Sequence, residues 1–202
     1  MGMTADKVRI PKQKRSIEIK NKIKRAAREL FSEKGYHNTS SNEIVKSAGV
    51  SIGAFYSYFS NKKALFIEIL HEYNQNIIAQ VPIVKLQDDG LREMIEKYVL
   101  AVLEAHSYSP RLHREILAMA YGDDEVKEIV DCYEEMMVEQ IAQLLNENLM
   151  LTKITDADHA AYLIFKSVEE VVHSIRVFAR PCDEAALLRD LIDMVCSYVL
   201  KR

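Results

Sequence analysis

The chain has 202 residues, 49% of them hydrophobic, and a formal net charge of −3, so it is long enough for one or two domains with a buried core. No apolar run approaches the roughly 20 residues that span a bilayer, and no apolar signal segment follows the first charges, so we expect a cytoplasmic protein without a membrane partner. The three cysteines, Cys132, Cys182 and Cys196, contain no C-x-x-C pair, which indicates neither a disulfide framework nor a zinc motif.

The charge is distributed unevenly along the chain. Residues 1–63 contain 14 Lys and Arg against 5 Asp and Glu, a net of +9, which leaves −12 for residues 64–202. A basic front end suits a polyanion such as nucleic acid. We therefore predict a nucleic-acid-binding domain over residues 1–63 and a second domain over residues 64–202.

The chain begins with a polar, basic stretch, residues 1–15, which has no apolar periodicity. Either it is a mobile arm that reaches phosphates or the minor groove, or it is a tail without a role. The basic residues of such an arm are Lys12, Lys14 and Arg15. From Ser16 to Gly35 apolar residues recur at intervals of three and four, which predicts an amphipathic first helix.

Two short helices joined by a tight turn are predicted next. Ser40 and Glu43 form an S-x-x-E capping box that begins the first of them. Gly49 ends it, because glycine readily adopts the left-handed backbone conformation. Ser51 is an N-cap for the second helix, which we expect to continue through Tyr58. Two such helices form a helix-turn-helix.

The second of these helices has a small, uncharged face. Phe55 and Phe59 share the opposite face and would anchor the helix in a core. The uncharged face can approach the major groove closely and contact thymine methyl groups. It is made of Ile52, Gly53, Ala54 and Ser57.

Polar groups suited to phosphate follow this face. Tyr56 and Tyr58 carry hydroxyls of the kind that position a protein on the DNA backbone. A third cap, Ser60 or Asn61, begins a longer helix with Lys62 in its first turn, where a phosphate would meet both the free amides and a lysine.

These residues resemble the DNA-binding signature of the tetracycline-repressor (TetR) family of bacterial transcription regulators. Residues 26–39 resemble the first helix of that family, and the similar part covers about a quarter of the chain. Val45 stands where the family usually has Ala, and Tyr58 where His is common. The matching positions are Thr39, Ile44, Ala48, Gly49, Val50, Ser51, Gly53, Phe55, Tyr56, Tyr58, Phe59, Lys62 and Leu65.

The resemblance implies a homodimer that binds a palindromic operator, usually as a repressor released by a small molecule. Base reading would fall to the uncharged face with Asn42, and phosphate contacts to Thr39, Tyr56, Tyr58 and Lys62. The predicted DNA-binding set is Thr39, Ser40, Asn42, Ser51, Ile52, Gly53, Ala54, Tyr56, Ser57, Tyr58 and Lys62.

The rest of the chain is predicted to be helical. The helix from Lys62 continues to about Gln80, and a loop through Gln87 to Gly90 follows. Further helices are predicted over residues 91–106, 111–121, 125–149, 156–180 and 183–200. We therefore predict an all-α fold of about nine helices, with a three-helix DNA-binding unit followed by a ligand-binding and dimerisation domain.

The last two predicted helices carry broad apolar faces. Such faces exceed what a small core covers from one side, and a second copy can cover them as a four-helix bundle. The resemblance places the dimer contact there as well. The faces consist of Ala161, Ile164, Phe165, Val168, Val172 and Ile175, and of Leu187, Leu188, Leu191, Met194, Val195 and Val199.

The second domain is rich in side chains that suit a pocket for a small, largely apolar effector. For any one of them a plain core or surface role is the better interpretation, but as a group, and with the resemblance, they favour a ligand site. The candidates are Tyr98, His106, His113, Met119, Tyr133, Met136, Met137, Tyr162, Phe165, Glu169 and His173.

No catalytic or metal-binding motif is recognised. His106 and His113 would share a helix face only if one helix crossed the break at Pro110, and nothing resembles H-x-x-x-H or a nucleophile elbow. We therefore predict no enzyme, no cofactor and no metal site. The alternative to a DNA-binding regulator is an all-helical ligand carrier or protein-interaction module whose DNA-binding unit is vestigial.

Overall fold

The computed structural model describes residues 14–81 and 90–201, and within these ranges it is built from nine α-helices. The fold is all-α, as predicted. The helices are α1 Lys14–Lys34, α2 Ser41–Ala48, α3 Ile52–Tyr56, α4 Lys62–Gln80, α5 Gly90–His106, α6 Pro110–Ala120, α7 Asp124–Glu147, α8 Ala157–Val172 and α9 Glu184–Val199. Among the described residues, none of these helices is long and apolar enough to cross a bilayer.

The predicted N-terminal arm is partly helix. Lys14 and Arg15 belong to the first turn of α1, which begins two residues before the expected cap Ser16. Lys12 lies outside the described residues, as does the loop through Gln87 before α5.

Local capping explains the boundaries of α2. The Ser40 hydroxyl accepts the Glu43 N–H at 3.2 Å, and the Glu43 carboxylate accepts the Ser40 N–H at 2.9 Å, which completes the capping box. Gly49 follows the helix with φ +65°, in the left-handed region.

The helix α3 is shorter than expected. Ser51 accepts the Ala54 N–H at 3.1 Å, as an N-cap does. The helix ends at Tyr56 rather than Tyr58, because the amides of Tyr58 and Phe59 both donate to the Phe55 carbonyl and tighten the chain into a turn. Asn61, one of the two predicted caps, begins α4.

The helix α4 connects two buried apolar clusters. The front cluster combines α1 to α4 with Leu112, Ile116 and Met119 of α6 and Val126 of α7. The back cluster combines residues of α5, α7, α8 and α9. Ile77, near the end of α4, packs against both clusters. The division of the chain after residue 63 stays a prediction.

The apolar faces predicted for the last two helices are mostly covered within one chain, which corrects the argument that they need a second copy. Ten of the twelve side chains belong to the buried back cluster. Leu187 packs against that cluster while partly exposed, and Met194 is the member that stays on the surface.

The predicted helix over residues 156–180 changes geometry before its end. Its last turn, His173–Val177, is π-helical, and the Phe178 amide donates to the carbonyl of His173, five residues back. Ala179 follows with φ +49°, in the left-handed region that costs a residue with a side chain about 1–2 kcal/mol. Such π turns often occur at functional sites.

Candidate nucleic-acid interface and buried polar pocket

The helix α3 presents its uncharged face to solvent. Ile52 is 40% exposed and Tyr56 is 56% exposed, while Phe55 is fully buried beneath them. Gly53 and Ser57 lie on the surface too, and Asn42 of α2 is exposed. The structure therefore leaves most of the predicted base-reading side chains accessible, with Ala54 half-buried.

Three serines of the predicted DNA-binding set already have internal partners. Ser40 and Ser51 cap α2 and α3, and the Ser57 hydroxyl donates to the Gly53 carbonyl at 2.8 Å. These hydroxyls therefore stabilise the two short helices whose surfaces they share.

Gly53 has no reason to be glycine within the folded chain. A Cβ added there would meet only the Ser51 hydroxyl, at 3.9 Å, which is ordinary contact. Glycine inside a helix costs up to about 1 kcal/mol relative to alanine. The open space above Gly53 suits the close approach of another molecule's backbone.

Two predicted phosphate contacts are buried in the structure, which corrects their expected roles. Thr39 is 2% exposed, and its hydroxyl donates to the Gly35 carbonyl at 2.8 Å. Tyr58 is 6% exposed, and its ring packs in the front cluster. Both side chains serve the fold, because residues predicted from a linear motif can face either way.

Lys62 has a second role that the sequence did not indicate. Its ammonium group donates to the carbonyls of Tyr36, at 2.7 Å, and of Thr39, at 2.6 Å, and lies 4.1 Å from the centre of the Tyr36 ring. Burial lowers the pKa of Lys62, and Glu43 opposes that shift. Because an ammonium has three N–H donors, one can still meet a phosphate.

Part of the positive charge of residues 1–63 is paired with acidic side chains. Lys20 contacts Glu68 at 2.6 Å, Arg28 contacts Glu72 at 2.8 Å, and Lys24 contacts both carboxylates. These pairs join α1 to α4 along their length. The field of the front end is therefore weaker than its net charge of +9 implies.

Two cavities lie behind the front unit. The first, of about 60 Å³, is lined almost wholly by apolar side chains of α5, α7, α8 and α9, with Tyr98 and Met137 among them. The second, of about 70 Å³, lies among α4, α5, α6, α7 and α8 and contains most of the buried polar groups.

The second cavity brings together seven of the eleven predicted pocket residues: His106, His113, Tyr133, Met137, Phe165, Glu169 and His173. Three predictions are wrong. Met119 packs in the front cluster, Tyr162 is more than half exposed, and Met136 lines neither cavity. Helical spacing locates a residue on a helix but does not identify which neighbour that face meets.

Sequence reasoning missed the contribution of α4 to this cavity. Tyr73 and Asn74 line it, and the Tyr73 hydroxyl is 2.8 Å from Nδ1 of His113. It also missed that His106 and His113 meet across the Pro110 turn, with ring centres 5.0 Å apart. The only signal in the sequence is the presence of three histidines in the second domain, at no recognisable spacing.

Burial controls the charge in this cavity. Desolvation lowers the pKa of His106, lowers that of His113 well below its usual range, and lowers that of His173 to about 4. The neighbouring histidines add to the effect on His113 and His173. At neutral pH the three rings are therefore neutral, and each has one nitrogen lone pair.

Glu169 experiences the opposite shift. Burial raises the pKa of Glu169 to about 7; the charge of Glu134 adds to this, and Lys166 opposes it. Its carboxylate oxygens lie 3.8 Å from Nε2 of His106 and 3.9 Å from Nε2 of His173.

Comparison with family models gives two matches that together cover most of the chain. Residues 23–69 match the tetR family of bacterial regulatory proteins, and residues 90–198 match the tetracyclin repressor-like C-terminal domain.

Curated relatives match mainly through the front unit. The uncharacterized HTH-type transcriptional regulator YuxN of Bacillus subtilis is 33% identical over 93 residues, which is 46% of this chain and 30% of YuxN. The HTH-type transcriptional regulator QacR of Staphylococcus aureus is 44% identical over 55 residues, 27% of this chain and 29% of QacR. The matched part spans less than a third of the length of either relative.

Solved structures match over nearly the whole chain. Salmonella enterica GusR superimposes with a TM-score of 0.74 at 22% identity, covering 93% of this chain and 98% of GusR. At this identity the likeness establishes the fold alone.

Proposed function

This chain belongs to the tetR family of bacterial regulatory proteins, and from that premise we propose that it is a ligand-responsive repressor that binds a palindromic operator as a homodimer. The family consists of DNA-binding transcription regulators rather than enzymes. A protein that acts on the bacterial chromosome works in the cytoplasm. The finer statements on operator, dimer and effector are proposals.

The exposed, uncharged face of α3 is the observation that carries the proposal. Its apolar tip Ile52 is solvent-accessible, and Gly53 leaves open space beside it. A face without bulky or charged side chains can enter the major groove and contact base edges and thymine methyl groups. Tyr56, at the end of the helix, would reach the phosphate backbone beside it.

The surface of α8 and α9 supports a dimer, although by a different face from the one predicted. Tyr162 and Leu163 of α8 and Met194 and Tyr198 of α9 are all at least two-fifths exposed. We propose that these side chains meet their counterparts in a second copy. The two copies of α3 would then lie about one DNA turn apart, roughly 34 Å, or a multiple of that distance.

The two cavities supply the effector site of the proposal. Both are smaller than the roughly 300–1,000 Å³ typical of ligand pockets, so a larger apolar effector would have to separate the helices that line them. Such an effector binds one conformation better than the other, which changes the affinity for DNA. Helix α4 transmits the change, because it lines the second cavity and begins beside α3.

A mobility-shift assay with the DNA upstream of the chain's own gene, at two salt concentrations, tests the proposal. We expect wild type to bind with a steep salt dependence. Ile52→Glu should abolish binding while leaving the fold intact, because it places a negative charge on the exposed face. Tyr121→Glu is the matched control, since Tyr121 is 92% exposed at the start of the loop after α6.

The assay also separates the alternative hypothesis. A ligand carrier with a vestigial DNA-binding unit would give no shift at either salt concentration. Binding by Ile52→Glu equal to that of wild type would show that α3 is not the reading element.

A further inference from the structure

Three histidines from separate helical segments converge in the second cavity. His106 ends α5, His113 lies in α6, and His173 begins the π turn after α8. Their ring centres are 4.6–5.2 Å apart, and all three side chains are buried. One nitrogen from each ring lies within 4.8 Å of the other two.

The hydrogen bonds of these rings leave the inward-facing nitrogens free. Nδ1 of His106 lies 2.8 Å from the Val102 carbonyl, and Nδ1 of His113 lies 2.8 Å from the Tyr73 hydroxyl. Nε2 of His113 and Nε2 of His173 are buried and have no hydrogen-bond partner. Buried polar atoms in proteins are nearly always paired, so two such atoms side by side indicate that another group binds between them.

We propose that His106, His113 and His173 bind a first-row divalent transition metal ion, of which Zn²⁺ is the best fit. Neutral imidazole suits Zn²⁺, Ni²⁺, Cu²⁺ and Fe²⁺, whereas Mg²⁺ and Ca²⁺ prefer oxygen ligands. Three histidines with one further position form a well-known zinc coordination set. The carboxylate of Glu169 lies close enough to two of the rings to supply that fourth ligand.

The geometry requires only a small closure. Zinc to nitrogen distances of about 2.0–2.1 Å place tetrahedral ligand nitrogens about 3.4 Å apart. The present separations, up to 4.8 Å, would therefore shorten by about 1 Å or slightly more. Rotation of the imidazole rings achieves much of this, and the π turn that begins at His173 is backbone able to take up the rest.

The surroundings resemble the outer shell of a metal site. Ligating histidines commonly donate their second ring N–H to a carbonyl or another oxygen, which fixes the tautomer. Val102 and Tyr73 provide such oxygens for His106 and His113. The nearby positive charge of Lys166 is held by Glu134, to which its ammonium donates.

The site is connected to the DNA-binding unit at two points, and this step depends on the proposed function. His113 contacts Tyr73 of α4, the helix that follows α3. Two residues further along α6, the Glu115 carboxylate accepts the Tyr36 N–H at 2.9 Å, in the turn between α1 and α2. A metal ion that draws His113 toward the other rings therefore displaces α6 against the DNA-binding unit, and metal binding changes the affinity for DNA.

Titration of the metal-free full-length chain, without an affinity tag, with Zn²⁺ and Co²⁺ tests the site directly. We expect one ion per chain by calorimetry and a tetrahedral Co²⁺ visible spectrum without a sulfur-to-cobalt charge-transfer band. The double variant Cys132→Ser, Cys182→Ser should give the same result, because these exposed thiols are the competing ligands.

Single substitutions identify the ligands. His106→Asn and His173→Asn should each weaken Zn²⁺ binding by at least ~100-fold, and Tyr73→Phe by about 10-fold, as expected for an outer-shell partner. Glu169→Gln provides a variant that keeps the volume of the side chain if the histidine variants do not fold. His159→Asn is the matched control, since the His159 side chain is exposed and far along α8.

The outcomes separate the metal site from the regulator. Wild type that binds no Zn²⁺ or Co²⁺, or binding that survives all three ligand substitutions, overturns the proposed site whatever the DNA assay shows. A mobility shift by metal-free protein that changes at least fivefold with Zn²⁺, and not in His106→Asn, supports the regulatory link. Stoichiometric metal binding with unchanged DNA affinity overturns that link, and absence of any DNA shift counts against the proposed function alone.

Discussion

The DNA-reading end and the histidine cavity treat their polar groups in opposite ways. In α2 and α3 every cap hydroxyl has a partner within a few residues, and the reading face is exposed because its side chains are small. In the cavity two buried ring nitrogens have no partner, and the groups around them come from five helices. The front end is therefore complete as a folded unit, whereas the cavity is completed only by something that binds there.

The largest expected difference concerns the core beneath the reading face. Phe55→Ala removes a fully buried ring from the front cluster and should lower the free energy of unfolding by about 3–5 kcal/mol. Tyr56→Ala, one residue further, should change it by less than ~0.5 kcal/mol because Tyr56 is exposed. Urea unfolding measures both, and equal losses would contradict the arrangement of α3.

Lys62 sharpens the comparison because it serves both the fold and the surface. Lys62→Ala should cost roughly 2 kcal/mol of stability, since it removes charge-assisted bonds to two carbonyls. It should also weaken binding to all DNA sequences and lower the salt slope by about 1.

Lys63→Ala is the control for that measurement. Its ammonium already contacts Asp123 at 2.7 Å and Glu125 at 2.8 Å, so its removal should change the salt slope by clearly less. A slope that is unchanged in Lys62→Ala would remove Lys62 from the phosphate contacts and leave it a structural role.

In the cavity we expect substitution to have the opposite sign. His173→Leu removes a buried nitrogen without a partner and should raise the stability of the metal-free protein by about 1 kcal/mol. The exposed His159→Leu should have no measurable effect. Thermal unfolding in the presence of a chelator compares them, and a loss of several kcal/mol in His173→Leu would mean that the cavity is complete without a bound group.

Gly53 gives the smallest change in stability and the clearest separation of fold from function. Gly53→Ala should raise stability by up to about 1 kcal/mol, because helical glycine is unfavourable and the added Cβ is unobstructed. Its affinity for DNA should nevertheless fall, by about tenfold if the loss is near 1.4 kcal/mol.

The matched change at the other glycine should behave differently. Gly49→Ala should lower stability by about 1–2 kcal/mol, since its φ of +65° strains any residue with a Cβ. If Gly53→Ala bound DNA as well as wild type, the open space at Gly53 would have no role in recognition.

The sequence by itself determined the helical fold and the short helices of the front unit. Caps such as Ser40 with Glu43 and Ser51, and the stop at Gly49, act over three or four residues, so their pattern is visible in the linear chain. The same local signals placed Ile52 and Gly53 on one face, although the side-chain roles at Thr39 and Tyr58 required coordinates.

Only the tertiary structure decided how distant segments meet. The apolar faces of α8 and α9 were read correctly as apolar, but helical periodicity does not state whether the same chain or a second copy covers them. His106, His113 and His173 have no shared spacing, and they meet because the Pro110 turn folds α6 back on α5 while the π turn follows α8. Contacts of this kind depend on packing between helices far apart in sequence, and no local pattern encodes them.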